Sequence, residues 1–322
     1  MANNRPQMVV LDGYTLNPGD LSWNKLKALG TLEVYDYTPP ELLIERSKTA
    51  EILLPNKVLI GRSVIESLPH LTCICVTATG YNNVDLAAAR ARNIPVCNVK
   101  GYSTDSVAQH VFALLLELTT QIGAHSKSVH QGSWSTSRDF SYQLQPLVEL
   151  SGKTMGIYGF GTIGQRVADI ALAFGMKVIA THKHPLRDAR PGLRFVSLEE
   201  LFSESDVISL HAPLNEGNKE IVNRSLLSKM KPTAYLINTA RGPLIHEADL
   251  RKALDENLLA GAGLDVLSQE PPPTDHPLFG AKNCFISPHN AWASQEARAR
   301  MMDLIVENVA AFLSGKPINV VN

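Results

Sequence analysis

Three ionisable residues in the second half of the chain each follow the end of a short predicted strand. They are Arg241, Glu270 and His289, and the strand ends before them cover residues 236–238, 263–265 and 285–287. Ligands of an open α/β sheet bind beyond the carboxyl ends of its strands, which all lie at one edge. We therefore expect the three side chains to converge at a ligand site.

These three residue types together suit hydride transfer to a 2-oxo acid. Arg241 offers a planar fork that holds a carboxylate and polarises the neighbouring carbonyl. His289 can exchange a proton near neutral pH, and a carboxylate such as Glu270 orients the ring and favours its protonated form. Each residue also has a structural explanation: an ion pair for Arg241, a solvated loop charge for Glu270, and strand-end packing for His289.

A glycine-rich turn precedes these residues. Gly159, Gly161 and Gly164 form G-x-G-x-x-G, with Thr162 and Ile163 inside it, between a predicted strand and a predicted helix. The first glycine allows a tight turn, the second lets backbone approach a pyrophosphate, and the third lets helix and strand pack. The pattern predicts a dinucleotide site, although a glycine turn without a ligand remains the alternative.

The position that selects the cofactor is His182. Sites selective for NAD usually place Asp or Glu about 20 residues after the glycines. Here His182, Lys183 and His184 occupy that place, and the next carboxylate is Asp188. The sequence predicts an NAD(P)(H) enzyme with NADP(H) slightly favoured; the alternative is a tolerant site in which Lys183 points to solvent.

Short apolar runs alternate with helical stretches, which is typical of parallel sheets covered by helices. The predicted strands are 8–12, 32–35, 51–54, 72–76, 96–98, 154–158, 177–181, 194–196, 207–210, 234–238, 261–265 and 284–287. One helix is predicted to begin near 103–105, and another is predicted to cover about 295–313. We predict an α/β fold with two doubly wound parallel-sheet domains. A Rossmann dinucleotide-binding domain, 103–289, is inserted into a flavodoxin-like substrate domain, 1–102 and 290–322.

Composition limits the partners. The 322 residues carry 30 Lys and Arg against 31 Asp and Glu, which gives no overall attraction to nucleic acid or to an anionic membrane. The sequence starts without a signal-peptide pattern and has no apolar run of membrane-spanning length, so we expect a cytoplasmic enzyme with a small-molecule substrate. Cys73 and Cys75 are expected to pack in a strand, and no metal site is predicted.

The chain resembles the D-isomer-specific 2-hydroxyacid dehydrogenases over nearly its whole length, and six segments carry the resemblance. They are 79–85 (TGYNNVD), 159–164 (GFGTIG), 211–213 (HAP), 238–242 (NTARG), 263–266 (GLDV) and 287–289 (SPH). The resemblance implies that Arg241 binds substrate, that Glu270 is the carboxylate partner and that His289 is the acid/base. It also implies a homodimer.

The resemblance implies further site residues. Residues expected to contact or line the cofactor are Thr104, His211, Pro213, Thr239, Ala240 and Asp265. Backbone amides at Thr79 and Gly80 are implied to bind the substrate carboxylate. We further expect Asn56, Lys57 and Trp292 to form walls of the substrate pocket, the first two because they follow a predicted strand of the other domain.

Segments 78–82, 101–109 and 289–293 resemble the branch of the family that reduces hydroxypyruvate or glyoxylate to D-glycerate or glycolate. Reduction of pyruvate to D-lactate by the same residues is the nearer alternative. A cofactor-sensing, corepressor-like binding protein is the alternative from another functional class. The presence of Arg241, Glu270 and His289 favours an enzyme.

Overall fold

The computed structural model describes residues 5–185 and 187–322, and these form two α/β units. Unit 1 contains the described residues up to Ser103 together with Trp292–Asn322, and unit 2 contains Thr104–Ala291. Both ends of the chain therefore build unit 1, and unit 2 is inserted between them. The boundaries expected after residues 102 and 289 lie one and two residues before the observed ones.

Unit 1 contains a parallel five-stranded sheet in the order β2-β1-β3-β4-β5. Its strands are β1 (Gln7–Val10), β2 (Thr31–Val34), β3 (Ile52–Leu54), β4 (Cys73–Cys75) and β5 (Val96–Cys97). Its helices are α1 (Asn24–Leu29), α2 (Leu43–Ser47), α3 (Arg62–Ser67), α4 (Leu86–Ala91) and the C-terminal helix (Gln295–Leu313). This strand order is that of the flavodoxin-like folds.

Each face of this sheet is covered. Because side chains alternate along a strand, Met8 and Val10 of β1 lie on one face and Val9 on the other. The C-terminal helix contributes Met301 and Ile305 to the core on the Met8 face. Strands β3, β4 and β5 are consequently apolar without interruption, as buried parallel strands usually are.

Three cysteines are neighbours in the core of unit 1. The Sγ atoms of Cys73, Cys75 and Cys97 lie within 4.8 Å of one another, and all three side chains are buried. Hydrogen bonding to the neighbouring thiols, together with burial, raises the pKa of Cys75 above its ordinary value. The burial of Cys73 and Cys75 is consistent with the packing role expected from the sequence.

Unit 2 contains a parallel seven-stranded sheet in the order β12-β11-β10-β9-β6-β7-β8. Its strands are β6 (Thr154–Tyr158), β7 (Lys177–Thr181), β8 (Leu193–Phe195), β9 (Val207–Leu210), β10 (Tyr235–Asn238), β11 (Gly261–Leu264) and β12 (Cys284–Ile286). Its helices are α5 (Thr104–Thr120), α6 (Ile122–His130), α7 (Thr162–Ala173), α8 (Leu198–Glu204), α9 (Arg224–Leu227) and α10 (Glu247–Asp255). The first six strands have the Rossmann order, and β12 extends the sheet.

Helix α5 packs closely against β11 because two strand positions are glycine. A Cβ on Gly261 would lie 2.9 Å from Leu118 Cδ2, and one on Gly263 would lie 2.9 Å from Leu114 Cβ. Larger residues at these positions would push the helix away from the sheet.

The two parallel sheets agree with the α/β fold class of two doubly wound domains that was expected from the sequence. Within the described residues, no helix has the length and apolar character needed to cross a membrane.

Candidate active site

His289 and Glu270 form a hydrogen-bonded pair at the carboxyl edge of the seven-stranded sheet. His289 Nδ1 lies 2.6 Å from Glu270 Oε2, and the two side chains are 28% and 35% exposed. Glu270 Oε1 accepts a hydrogen bond of 3.1 Å from the backbone amide of Leu267. The carboxylate therefore engages Nδ1, so Nε2 is the nitrogen that can exchange a proton with a ligand.

The backbone of His289 lies in the left-handed region, with φ of 50°. This conformation is uncommon for a residue other than glycine and persists where surrounding contacts impose it. The amide of His289 donates to the carbonyl oxygens of Asp265, at 2.8 Å, and Ser287, at 3.0 Å. The loop after β12 is thus tied to the end of β11.

Arg241 follows β10 and is exposed. Buried Asn238 shapes this strand end, because its Oδ1 accepts from the amide of Ala240 at 3.0 Å and its Nδ2 donates to the carbonyl of Arg241 at 2.9 Å. The guanidinium donates to the carbonyl of Ala240 at 2.6 Å. Arg241 is thereby presented at the edge of the sheet with its fork accessible.

The segments after β10 and β11 lie against each other. A Cβ on Gly242 would be 1.9 Å from the carbonyl carbon of Leu267, so only glycine fits there. Strands β10, β11 and β12 are also consecutive neighbours in the sheet. The structure therefore places Arg241, Glu270 and His289 after three adjacent strands at one edge.

The glycine-rich turn has two glycines that packing requires and one that faces open space. Gly159 has φ of 95°, and a Cβ there would lie 2.5 Å from the amide nitrogen of Ala212. A Cβ on Gly164 would lie 2.4 Å from the carbonyl oxygen of Gly159. At Gly161, just before α7, no described atom lies within 4 Å of such a Cβ. This open helix N-terminus fits a pyrophosphate.

Thr239 supplies a second feature that fits a dinucleotide. Its Oγ1 is buried, and within the described residues it has no hydrogen-bond partner. Unpaired buried hydroxyls are costly, so a polar ligand atom at this position would be stabilised.

The other residues expected at the cofactor also lie at the ends of secondary-structure elements. Thr239 and Ala240 follow β10, and Thr104 begins α5. Pro213 follows β9, and its carbonyl accepts a hydrogen bond from Asn218.

His211 follows β9 and is half-buried. Burial lowers the pKa of His211 to about 3, and its Nε2 lies 2.8 Å from Ser209 Oγ. The backbone from His211 to Ala212 packs on Gly159. His211 is therefore neutral around pH 7 and contributes shape and hydrogen bonding at this strand end.

His182 follows β7 and is paired with a carboxylate. Its Nε2 lies 2.5 Å from Asp188 Oδ2, and its ring stacks on Phe195 at 5.8 Å between centroids. A hydrogen bond from Arg187 holds the pKa of Asp188 below its ordinary value. Lys183 is exposed. The return of Asp188 to the end of β7 was not expected from the sequence, because chain spacing gives no sign of it.

Four of the five residues expected to bind substrate from unit 1 follow β3 or β4, and the fifth, Trp292, precedes the C-terminal helix. The amides of Asn56 and Lys57 donate to the Asp12 carboxylate at 2.7 Å and 2.6 Å. Thr79, which precedes Gly80, donates its hydroxyl to a backbone carbonyl at 2.7 Å. The ring of Trp292 meets Tyr102 edge-on, with centroids 6.3 Å apart. The substrate-binding role of these five residues stays a prediction.

Two polar residues that were not expected at the site, Ser287 and His110, contact each other and Asp265. Ser287 Oγ donates to Asp265 Oδ1 at 2.7 Å, and His110 Nε2 lies 2.8 Å from the same Ser287 oxygen. The Asp265 carboxylate also accepts from the amides of Asn290, at 2.9 Å, and Ala291, at 3.0 Å. Asp265, expected near the nicotinamide, thus organises the loop that carries His289.

Comparison with known proteins identifies the relatives of this chain. Residues 112–291 match the model of the D-isomer-specific 2-hydroxyacid dehydrogenase NAD-binding domain. A hydroxypyruvate reductase of Blautia hydrogenotrophica is 48% identical over 98% of this chain and 99% of its own. A glycerate dehydrogenase of Methylorubrum extorquens is 43% identical over 88% of each chain.

A solved structure agrees with this placement. An acyclic imino acid reductase in complex with NADPH and D-Arg is 36% identical, with a TM-score of 0.85 over 98% of this chain and 100% of its own. The family match covers more than half of the chain, and the sheet order and the glycine-rich turn of unit 2 agree with it. The chain therefore belongs to the family of D-isomer-specific 2-hydroxyacid dehydrogenases.

Proposed function

We propose that this chain reduces small 2-oxo acids to D-2-hydroxy acids, and that hydroxypyruvate and glyoxylate are its preferred substrates. The observation that carries the proposal is the hydrogen bond of 2.6 Å between His289 Nδ1 and Glu270 Oε2. A histidine so oriented, at the sheet edge where Arg241 also lies, is suited to proton exchange with a bound 2-oxo acid. The relatives named for hydroxypyruvate and glycerate favour this substrate class.

The proposed chemistry assigns one task to each of the three residues. Arg241 binds the substrate carboxylate through its planar fork. A reduced nicotinamide, when bound, supplies the hydride to the carbonyl carbon. His289 donates the proton on Nε2 to the carbonyl oxygen, which becomes the hydroxyl group, and later regains a proton from solvent. Glu270 holds the ring through Nδ1 during both steps.

A substrate panel tests this proposal. The absorbance of reduced cofactor is followed with hydroxypyruvate, glyoxylate and pyruvate at one cofactor concentration. We expect kcat/KM for hydroxypyruvate to exceed that for pyruvate by at least about 10-fold, because a site that hydrogen-bonds a substrate hydroxyl rejects the analogue without it. A preference for pyruvate would instead assign a D-lactate dehydrogenase. Tight cofactor binding without turnover of any 2-oxo acid would favour a sensor.

We infer that NADPH is used at least as well as NADH, with a modest preference for NADPH. Asp188, the carboxylate that contacts His182 at the end of β7, is also hydrogen-bonded to Arg187, so it is poorly placed to accept from ribose hydroxyls. Exposed Lys183 and His184 lie at the same strand end and suit an additional phosphate. The related imino acid reductase was solved with NADPH.

Two lysines of β7 and its end provide the test of cofactor choice. Lys183→Gln should lower kcat/KM for NADPH by about 3-fold to 10-fold and leave NADH unchanged, since one exposed phosphate contact is lost. Lys177→Gln, at the opposite end of β7, is the matched control and should change neither value. A wild-type preference for NADH of about 100-fold, or roughly 2.7 kcal/mol, would contradict the inference.

We propose that the enzyme is a homodimer and that segment 122–147, which exposes six large apolar side chains, is its contact surface. The large exposed side chains in this segment are Ile122, Val129, Trp134, Phe140, Leu144 and Leu147. Phe140 is 89% exposed and Ile122 is 68% exposed. Clustered apolar exposure of this kind is typical of surfaces that contact another protein. Sedimentation should show a dimer for wild type and a monomer for Phe140→Asp; a wild-type monomer would contradict the proposal.

A further inference from the structure

Helix α5 brings a histidine to the end of β11. Leu114 lies over Gly263, and His110 lies one helical turn before Leu114, while Asp265 lies two positions after Gly263. Helix α5 runs in the opposite direction to β11. One helical turn rises about 5.4 Å and two strand residues extend about 6.6 Å, so successive helical turns meet alternate residues of the strand. His110 Nε2 accordingly lies 3.5 Å from Asp265 Oδ1.

The direction of the hydrogen bonds in this cluster follows from its atoms. Ser287 has a single hydroxyl hydrogen, and it is directed to Asp265 Oδ1 at 2.7 Å. The Ser287 oxygen must therefore accept from His110 Nε2, 2.8 Å away. The order is His110 to Ser287 to Asp265, and it requires a hydrogen on Nε2 of His110.

The Asp265 end of this cluster holds the loop of His289 on both sides. The carboxylate, in a residue that is 1% exposed, receives the hydroxyl of Ser287 and the amides of Asn290 and Ala291. The Asp265 carbonyl receives the amide of His289 itself. Since His289 has the uncommon φ of 50°, these contacts maintain its conformation.

We propose that His110 is a positioning residue for the proton transfer by His289. By donating to Ser287, His110 fixes the hydroxyl that Asp265 binds, and Asp265 then holds the loop so that the His289 ring meets Glu270. His110 touches neither substrate nor the reacting atoms in this scheme. The inference rests on the proposed function, in which His289 is the acid/base.

Leucine and glutamine at position 110 separate hydrogen bonding from packing. Leucine fills similar space without a donor, whereas the glutamine amide can place a donor near the position of Nε2. We expect His110→Leu to lower kcat by about 10-fold to 100-fold, because small displacements of a reacting group are costly. His110→Gln should retain kcat within about 3-fold, and cofactor affinity should change by less than about 2-fold in both. His70→Leu, at an exposed histidine of unit 1, is the control.

The decisive measurement repeats His110→Leu in a His289→Ala background. If His110 acts through His289, the substitution should then change the residual kcat by less than about 2-fold. An equal loss in both backgrounds would show a general structural effect and overturn the inference. So would a His110→Leu enzyme with wild-type kcat, or a His110→Gln enzyme as slow as His110→Leu.

Ser287→Ala provides the same test should His110→Leu fail to fold. It should lower kcat by about 10-fold to 100-fold, and in a His289→Ala background it should change the residual kcat by less than about 2-fold. Additive losses would overturn the inference. If the wild-type protein reduces no 2-oxo acid, both the proposed function and the role of His110 are overturned. If the wild type is active and substitution of His110 leaves kcat unchanged, only the role of His110 is overturned.

Discussion

Two half-buried histidines at the carboxyl edge of the same sheet have different hydrogen-bond partners. His289, after β12, is 28% exposed and lies 2.6 Å from a carboxylate. His211, after β9, has a hydroxyl as its partner, and burial lowers its pKa to about 3. The sheet edge alone therefore does not decide the role of a histidine. The neighbouring charge and the access of solvent decide whether the ring can exchange a proton.

The two strand ends are also held in different ways. The backbone at His211 and Ala212 packs directly on Gly159, where no side chain fits. The backbone at His289 is held by hydrogen bonds to Asp265 and Ser287 in a left-handed conformation. Packing therefore fixes the His211 end, and a polar network fixes the His289 end.

Removing the ring of His289 tests the comparison most strongly. His289→Ala should lower kcat by roughly 10²-fold to 10⁴-fold, the usual contribution of a positioned acid/base. Cofactor affinity, measured by fluorescence quenching, should be nearly unchanged. His70→Ala is the control for an exposed histidine. Wild-type turnover in His289→Ala would exclude His289 from proton transfer.

The next largest effect is expected from adding a methyl group to Gly159, which should lower the stability of the protein. The added Cβ would lie 2.5 Å from the Ala212 amide, at a positive φ. We expect Gly159→Ala to reduce the free energy of unfolding by about 2–4 kcal/mol, from overpacking and backbone strain together. Urea denaturation measures it. Gly161→Ala, which meets open space, should keep wild-type stability but weaken cofactor binding; equal stability of the two variants would contradict this contrast.

Neutralising Glu270 removes the charge that distinguishes His289 from His211. Glu270→Gln preserves the shape of the side chain and an acceptor for Nδ1, so we expect a kcat lower by about 10-fold to 100-fold, a smaller loss than that of His289→Ala. Glu199→Gln, at an exposed surface ion pair, serves as the control. A Glu270→Gln enzyme with wild-type kcat would remove the carboxylate from the proposed mechanism.

The smallest expected effect is the pH dependence due to His211. Its folded pKa of about 3 lies below the ordinary value of 6.5, so the unfolded chain binds a proton first as the pH falls. Stability from this group is complete above about pH 6.5 and should decrease by about 1–2 kcal/mol between pH 7 and pH 5. Urea unfolding at both pH values should show a smaller decrease for His211→Gln. An equal decrease in variant and wild type would mean that His211 is not desolvated.

The sequence predicted most of the fold because the signals for it are local. The twelve predicted strands correspond to β1–β12, and the C-terminal helix covers Gln295–Leu313, close to the expected span. Apolar runs interrupted by polar turns and glycines carry that information. The predicted convergence of Arg241, Glu270 and His289 also follows from strand ends, since parallel strands share an edge.

The parts of the site that could not be predicted from the sequence depend on contacts between residues whose spacing along the chain gives no sign of them. His110 meets Ser287 across 177 positions of the chain, and only the close packing of α5 on Gly263 brings them together. Asp188 is hydrogen-bonded to His182, six positions earlier in the chain. Gly242 is required because the Leu267 backbone lies against it. Such contacts become visible only once the elements are packed.

The insertion of unit 2 into unit 1 sets an order for folding during synthesis. Residues Thr104–Ala291 are contiguous, so unit 2 is complete before the last helix leaves the ribosome. Unit 1 must wait, because Met301 and Ile305 of that helix cover one face of its sheet. Until then this face is an exposed apolar surface on a nascent chain, the kind of surface that chaperones bind and that aggregates when they do not.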